Sequence, residues 1–239
     1  MTVMTTGTAL EREPLGGRAV AVPDECSGRA VHTVLGTPLG EMVVAAAISA
    51  QGAAITHVRL PHGDGSPAEH GPGIRVDASD EPVLAAATEQ LTAYLAGDLR
   101  EFDLPLRYSG SAFQRLVWDG LRQIPYGTTT SYGDLAAALG LDPRTTARAV
   151  GAANGANRIA VVVPCHRVIG ASGALTGFAA GVERKRELLD LEARVAGAGA
   201  LFDATAVRSA GRAHAPGAQR TPAARSARPR RPVDNRRLF

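Results

Sequence analysis

The sequence predicts a mixed α/β protein of the α+β kind, in which a small antiparallel sheet is followed by a set of helices. Three observations carry this. The segment AVHTVLGTPLGEMVVAAAISAQGAAITHVRL holds three short apolar stretches separated by Thr-Pro and Gln-Gly turns, the pattern of antiparallel strands. Downstream, apolar residues recur at helical spacing in several separate segments. Between Ile124 and Asn157 two of these segments follow each other as helix, turn and helix.

In chain order, residues 1–29 read as an irregular segment that includes Cys26 in the loose stretch PDECSGR. Residues 30–108 read as an N-terminal α/β domain. It holds the three strands, a polar Gly-Pro loop from Pro61 to Asp80, and an alanine-rich helix from about Pro82 to Ala96. Residues 109–195 read as a C-terminal domain that opens with a helix over Ser111–Gln123, with Phe113, Leu116, Val117 and Leu121 turned inward and Trp118 near them. Ser131 with Asp134 three residues on resembles a capping box, with Asp where Glu is usual, and Leu135, Ala138 and Leu139 follow on one face. Gly140 ends this helix, and Asp142 with Pro143 starts the next as N-cap and first helical position.

The second helix of the pair buries Ala147, Val150 and Ala153, leaving Arg144, Thr145, Arg148, Gly151 and Ala152 on the opposite face. Two cations among side chains too small to hold a phosphate backbone away make a candidate nucleic-acid surface. An ordinary solvated helix with arginines is the alternative. The last helix, GVERKRELLDLEARV from Gly181 to Val195, carries Leu188, Leu189, Leu191 and Val195 inward. At 100° per residue Glu192 falls on that apolar face, whereas Glu183, Glu187 and Asp190 fall opposite. Residues 196–239 hold nine arginines against Asp203 and Asp234, which is +7 and leaves the rest near −4 of the overall +3. With much proline and no hydrophobic period this tail is expected to be disordered. It either adds salt-sensitive, sequence-independent DNA affinity or is a dispensable extension.

The chemistry concentrates in VVVPCHRVIG. Cys165 and His166 stand side by side at the end of an apolar run, a place to make a thiolate, because a nearby base turns a weakly reactive thiol into a strong nucleophile. Adjacent residues seldom point the same way, so the contact is expected to run through a water or a tight turn set by Pro164. A carboxylate aimed into a core needs a partner. Glu192 is either a boundary residue bonded to an amide or an arginine, or the orienter of His166 in an acid, base and nucleophile relay with Cys165.

With PCHRVIG and its neighbours in this order, the chain resembles the O6-alkylguanine-DNA alkyltransferase family, also called methylated-DNA-protein-cysteine methyltransferases, from about His32 to Val195 and most densely from Phe113 to Glu192. The resemblance implies an N-terminal domain like ribonuclease H, a helical domain with a helix-turn-helix, and irreversible transfer of an alkyl group from O6 of guanine to Cys165, once per molecule. It implies that His166 activates Cys165 through water and that Glu192 orients His166. Tyr132 would crowd the phosphate, help turn the base out and protonate the guanine ring; Arg148 would fill the gap left by the flipped nucleotide. Arg144, Thr145, Ala149 and Gly151 complete the expected DNA-binding set. Asn157 would tie the helix pair to the active-site loop, Val168 would offer a carbonyl to the guanine amino group, and Ala179 an amide near O6. The expected partner is double-stranded DNA carrying alkylated bases, approached from the minor groove by a monomer, with no cofactor. O4-methylthymine is a second expected substrate.

The loop LTGFAAG departs from the family pattern. Phe178 stands where many members carry tyrosine and Ala180 where many carry glycine, and the added methyl is expected to slow inactivation by bulky O6-benzylguanine. The linker from Tyr132 to Arg148 is also longer than in some relatives.

Composition excludes other classes. No apolar run is long enough to span a bilayer and the first residues lack a signal-peptide core, so a cytoplasmic location is expected. Two distant cysteines suggest neither a disulfide framework nor a zinc site, and His32, His57, His62 and His70 read as solvated. Lys185 is the only lysine. Three other readings remain: a noncatalytic lesion sensor, against which Cys165 argues; a Cys-His-Glu hydrolase; and a regulator fused to this domain.

Overall fold

In the computed structural model, residues 28–62 and 71–197 are described. Residues 1–27 with Cys26, His70, and the arginine-rich tail lie outside the described residues. The three apolar stretches form antiparallel strands β1 (Arg29–Thr37), β2 (Gly40–Ser49) and β3 (Gly52–Arg59). Glycine supplies the left-handed backbone of both tight turns, with φ 98° at Gly40 and 117° at Gly52. β2 is central, and Met42 to Ala46 are buried on both faces. A fourth strand, β4 (Ile74–Arg75), pairs parallel with β1, giving the order β3-β2-β1-β4. Its two residues lie inside the stretch read as loop, because they are too few to show an alternating pattern.

Helix α1 (Pro82–Ala96) lies against this sheet. It begins with Pro82 in its first turn, ends at Gly97 in the left-handed region, and buries Leu84, Ala87, Leu91 and Tyr94. Helix α2 (Ala112–Leu121) starts in a capping box in which Ser111 and Gln114 satisfy each other's backbone amides. Its inward face holds Val117, Trp118 and Leu121, while Leu116 is 42% exposed, contrary to the sequence expectation. At 100° per residue Leu116 points more than a right angle away from the mean of those three.

Helices α3 (Tyr132–Ala138) and α4 (Pro143–Gly155) pack together across a short turn in which Gly140 has φ 74°. Ser131 caps α3 by accepting from the Asp134 amide, but its own hydroxyl donates to the Asp134 carboxylate at 2.7 Å. Asp, one methylene shorter than Glu, bonds the cap side chain here. Asp142 caps α4 as expected, and Val150 and Ala153 are buried, while Ala147 is only half-buried. Two short strands, β5 (Thr130–Ser131) and β6 (Val168–Ile169), pair in parallel beside α3, and α5 (Val182–Ala196) completes the described chain. None of these helices is long and apolar enough to cross a membrane.

A contiguous apolar core runs from Met42 and Ile55 in the sheet through Leu84 and Tyr94 to Leu121, Val163 and Leu188. The free edge of β3 is also bonded to the later chain: the Val58 amide donates to the Arg158 carbonyl at 2.9 Å, and the Ala160 amide to the Val58 carbonyl at 3.0 Å. The histidines of this region need correction. His32 is buried against the Pro72 carbonyl, and His57 is half-buried on β3; its charged form is disfavoured by burial and by Arg59 and Arg158, lowering its pKa to about 4. Both lie on strands that other chain segments cover, and their sequence neighbours do not reveal this.

Candidate active site

The chain reaches Cys165 through two three-residue reversals. Val161 has φ 72° where the Val162 amide donates to the Ala160 carbonyl at 2.9 Å, and Pro164, at φ −81° and ψ 61°, lets the Cys165 amide reach the Val163 carbonyl at 2.8 Å. A β-branched residue at positive φ costs about 1–3 kcal/mol and persists only where its surroundings hold it. Here Ile159, Val161 and Val163 are all buried. Proline fixes φ at the second reversal, and Cys165 to Arg167 then form one turn of 3-10 helix.

Cys165 is 5% exposed and lines a cavity of about 300 Å³ together with Asn154, Asn157, Phe178, Ala179 and Ala180, closed on the far side by Val58 to Leu60 of the sheet. Burial pushes its thiol above the ordinary range, outweighing the Asn157 hydrogen bond, the Lys185 charge and nearby amides, all of which pull it down. Burial thus favours the neutral thiol at rest.

A candidate base stands next to it in the chain. His166 is fully buried, and its Nε2 lies 2.9 Å from Glu192 Oε1. An ionised carboxylate only accepts, so Nε2 carries the proton and Nδ1 is the basic nitrogen; no protein group bonds Nδ1 among the described residues. Burial lowers the His166 pKa against the pull of Glu192, which keeps the ring neutral and able to take a proton. Glu192, on α5, is fully buried too. Burial favours its neutral acid, but hydrogen bonds and charge from His166 and Arg167 prevail and hold it at about 2.

Three further residues converge on that carboxylate. Arg167 Nε lies 3.0 Å from both oxygens and Nη2 donates to Oε1 at 2.8 Å, while Nη1 donates to the Ile124 carbonyl at 2.6 Å. The Gly127 amide donates to Oε2 at 2.9 Å, and the Tyr94 hydroxyl, from α1, donates to Oε1 at 2.6 Å. On the same face of α5, Lys185 is buried and donates to the Val168 and Thr176 carbonyls at 2.6 and 2.7 Å, pinning β6 to the loop that closes the cavity. Burial lowers Lys185 to about 8, against the attraction of Cys165.

Outside the cavity, α4 presents Arg144, Thr145, Arg148, Ala149 and Ala152 to solvent. Gly151 of the same helix faces the Tyr132 ring, where a Cβ would lie 3.6 Å away. The Tyr132 hydroxyl lies 3.4 Å from the Thr176 carbonyl, a long contact that sets the start of α3 beside the loop Leu175–Gly181.

Residues 112–194 match the family described as 6-O-methylguanine DNA methyltransferase, DNA binding domain. A methylated-DNA–protein-cysteine methyltransferase of Mycobacterium bovis is 43% identical over 162 residues, which is 67% of this chain and 91% of that one. The chain belongs to the methylated-DNA–protein-cysteine methyltransferase family. A Mycolicibacterium paratuberculosis member is 60% identical over 111 residues, 46% of this chain and 66% of that protein. Among solved structures, the O6-methylguanine methyltransferase of Mycobacterium tuberculosis superposes with a TM-score of 0.57 at 41% identity, covering 68% of this chain and 92% of that one. The same organism's OGT in complex with DNA superposes with a TM-score of 0.55 at 40% identity, over 73% and 99%.

In this family member the sequence-predicted Cys165, His166 and Glu192 form one buried cluster, and Asn157, Phe178, Ala179 and Ala180 meet at the cavity. Asn157 Nδ2 donates to the Val163 carbonyl at 2.9 Å and its Oδ1 accepts from the Ile159 amide at 3.0 Å. Val168 is fully buried in β6, and the carbonyl expected to meet guanine already accepts from Lys185. Sequence reasoning missed Arg167, Tyr94, Gly127, Asn154 and Lys185. Lys185 was findable, because it shares a helical face with Leu188, Leu189 and Glu192. Tyr94 was not, standing 98 residues from the carboxylate it bonds.

Proposed function

We propose that this chain repairs DNA by direct reversal, transferring a methyl or other alkyl group from O6-alkylguanine irreversibly to Cys165. The observation that carries the reading is a buried thiol at a cavity, backed by a neutral imidazole whose second nitrogen is held by an ionised carboxylate. As the methyl carbon approaches in line, the thiol proton passes through water to His166 Nδ1, and the imidazolium is stabilised by Glu192. The sulfur–carbon bond forms while the carbon–O6 bond breaks. Its electron pair goes to the guanine, which takes a proton from Tyr132, itself reprotonated from solvent. The product thioether is not reversed by water or thiols, so one molecule repairs one lesion.

In this reading α3 and α4 are a helix-turn-helix that docks in the minor groove, the sheet and α1 are a ribonuclease-H-like N-terminal domain, and the protein acts as a cytoplasmic monomer. Extruding the base costs a few kcal/mol, and Arg148 entering the stack offsets part of it. Tyr132 crowds the phosphate; Arg144, Thr145, Ala149 and Gly151 line the DNA. O4-methylthymine is the secondary substrate, and the Val168 carbonyl and Ala179 amide read the extruded base. The test uses duplex DNA with a labelled O6-methyl group. Label is expected to move to the wild-type protein, while Cys165→Ala binds the same duplex and takes up none. Transfer that persists in Cys165→Ala would overturn the assignment.

A further inference from the structure

The relay described above is built from residues 165, 166 and 192, yet the shortest hydrogen bond to its carboxylate comes from α1. Tyr94 is fully buried, its hydroxyl donates to Glu192 Oε1 at 2.6 Å, and the same hydroxyl stands 3.3 Å from His166 Nε2. Oε1 is the oxygen that holds His166. The phenol thus sits at the junction of acid and base without touching the cavity. Its ring is fixed by Phe102 at 5.2 Å and by the edge-on ring of Tyr126 at 5.9 Å, so the hydroxyl has one place to point. Burial and the neighbouring Glu192 charge push its ionisation well above the ordinary tyrosine range, so it keeps its proton to donate at neutral pH.

We propose that Tyr94 is a positioning residue for alkyl transfer, which fixes the Glu192 carboxylate in the rotamer that holds His166 Nε2 and so makes α1 part of the machinery that ionises Cys165. This deepens the proposed transfer to Cys165 and rests on that reading for its biological meaning. Arg167 and the Gly127 amide also bond the carboxylate, but they approach as a fork and from Oε2. The phenol reaches the oxygen that holds His166, which Arg167 Nε and Nη2 also bond, from a different element, α1. In a buried hydrogen-bond network, losing one partner loosens the remaining ones.

A positioning role and a purely electrostatic one predict opposite signs. A donor to Glu192 also draws charge away from His166; were that its main effect, removing it would strengthen the base and speed ionisation of Cys165. Positioning predicts the reverse. The groups facing this cluster are Arg167, Lys185 and Tyr126, and none changes in the test variant Tyr94→Phe, which keeps the ring.

The experiment follows carbamidomethylation of the Cys165 peptide by iodoacetamide across pH in the DNA-free full-length protein, alongside the rate of methyl transfer from an O6-methylguanine duplex. In Tyr94→Phe both rates are expected to fall roughly ten-fold, with the iodoacetamide profile displaced to higher pH. Tyr108→Phe, whose ring packs on Trp118, should behave as wild type, and Tyr94→Phe should add nothing in a Glu192→Gln background, which separates action through the carboxylate from a loss of packing. A profile unchanged or displaced to lower pH, or equal losses in both backgrounds, would overturn the proposal. Failure of wild-type protein to take up methyl would instead overturn the transfer reading, while the iodoacetamide profiles would still decide the role of Tyr94.

Discussion

Glu192 shows how a buried charge is retained. A lone carboxylate in this position would shed its charge by taking a proton, but Arg167, His166, Tyr94 and Gly127 together satisfy both oxygens. Glu192→Gln therefore leaves the buried Arg167 cation unbalanced, and we expect a loss of roughly 3–5 kcal/mol in stability and of at least about a hundred-fold in methyl transfer, read from urea unfolding and single-turnover kinetics. The pH dependence has a definite sign. The folded pKa of about 2 is below the ordinary 4.5, so the network's contribution is present above pH 4.5 and is lost as pH falls towards 2. The Glu192→Gln variant should lack this part of the acid-unfolding curve. His57 gives a second window of the same direction, because its folded value of about 4 lies below the ordinary 6.5. The unfolded chain takes the proton first as pH falls through 6.5, so stability declines from there to about 4, and His57→Gln should flatten that slope.

At the scale of elements, the loop Leu175–Gly181 contributes to the wall of the cavity that holds the thiol. Phe178, Ala179 and Ala180 line the cavity, and Ala180 is buried, so its methyl occupies space beside Cys165. Ala180→Gly is expected to accelerate inactivation by O6-benzylguanine several-fold while changing methyl transfer little; inactivation as fast in wild type as in the variant would show that the methyl does not narrow the site. The elements themselves were legible to different degrees. α1 and the caps of α3 and α4 appear where turn glycines, prolines and N-cap residues signal them, because those signals are local. Leu116 was misassigned and β4 missed for want of enough periodic residues to fix a face or a register. In the site, Cys165, His166 and Glu192 were readable because two are adjacent and the third stands out as a carboxylate on an apolar helical face. Tyr94 and Gly127 were not, since only tertiary folding brings them to Glu192.

Across the whole molecule, the sheet and the helices are parts of one arrangement around the cysteine. β3 bonds the backbone at Arg158 and Ala160, α1 sends Tyr94 into the relay, and Arg100, beyond α1, donates to the Val195 carbonyl of α5. With the apolar core continuous from Met42 to Leu188, residues 28–197 are expected to unfold in a single transition, with calorimetric and van't Hoff enthalpies equal; two separated transitions would contradict that continuity. The central claim is that this assembly exists to pass one alkyl group to one sulfur. The intact mass of the protein, with peptide mapping, after mixing with a stoichiometric duplex carrying a single O6-methylguanine, tests it most directly. The account predicts one methyl increment on Cys165, a lesion restored to guanine, and no second turnover; binding without an increment, or repeated turnover by unmodified protein, would contradict it.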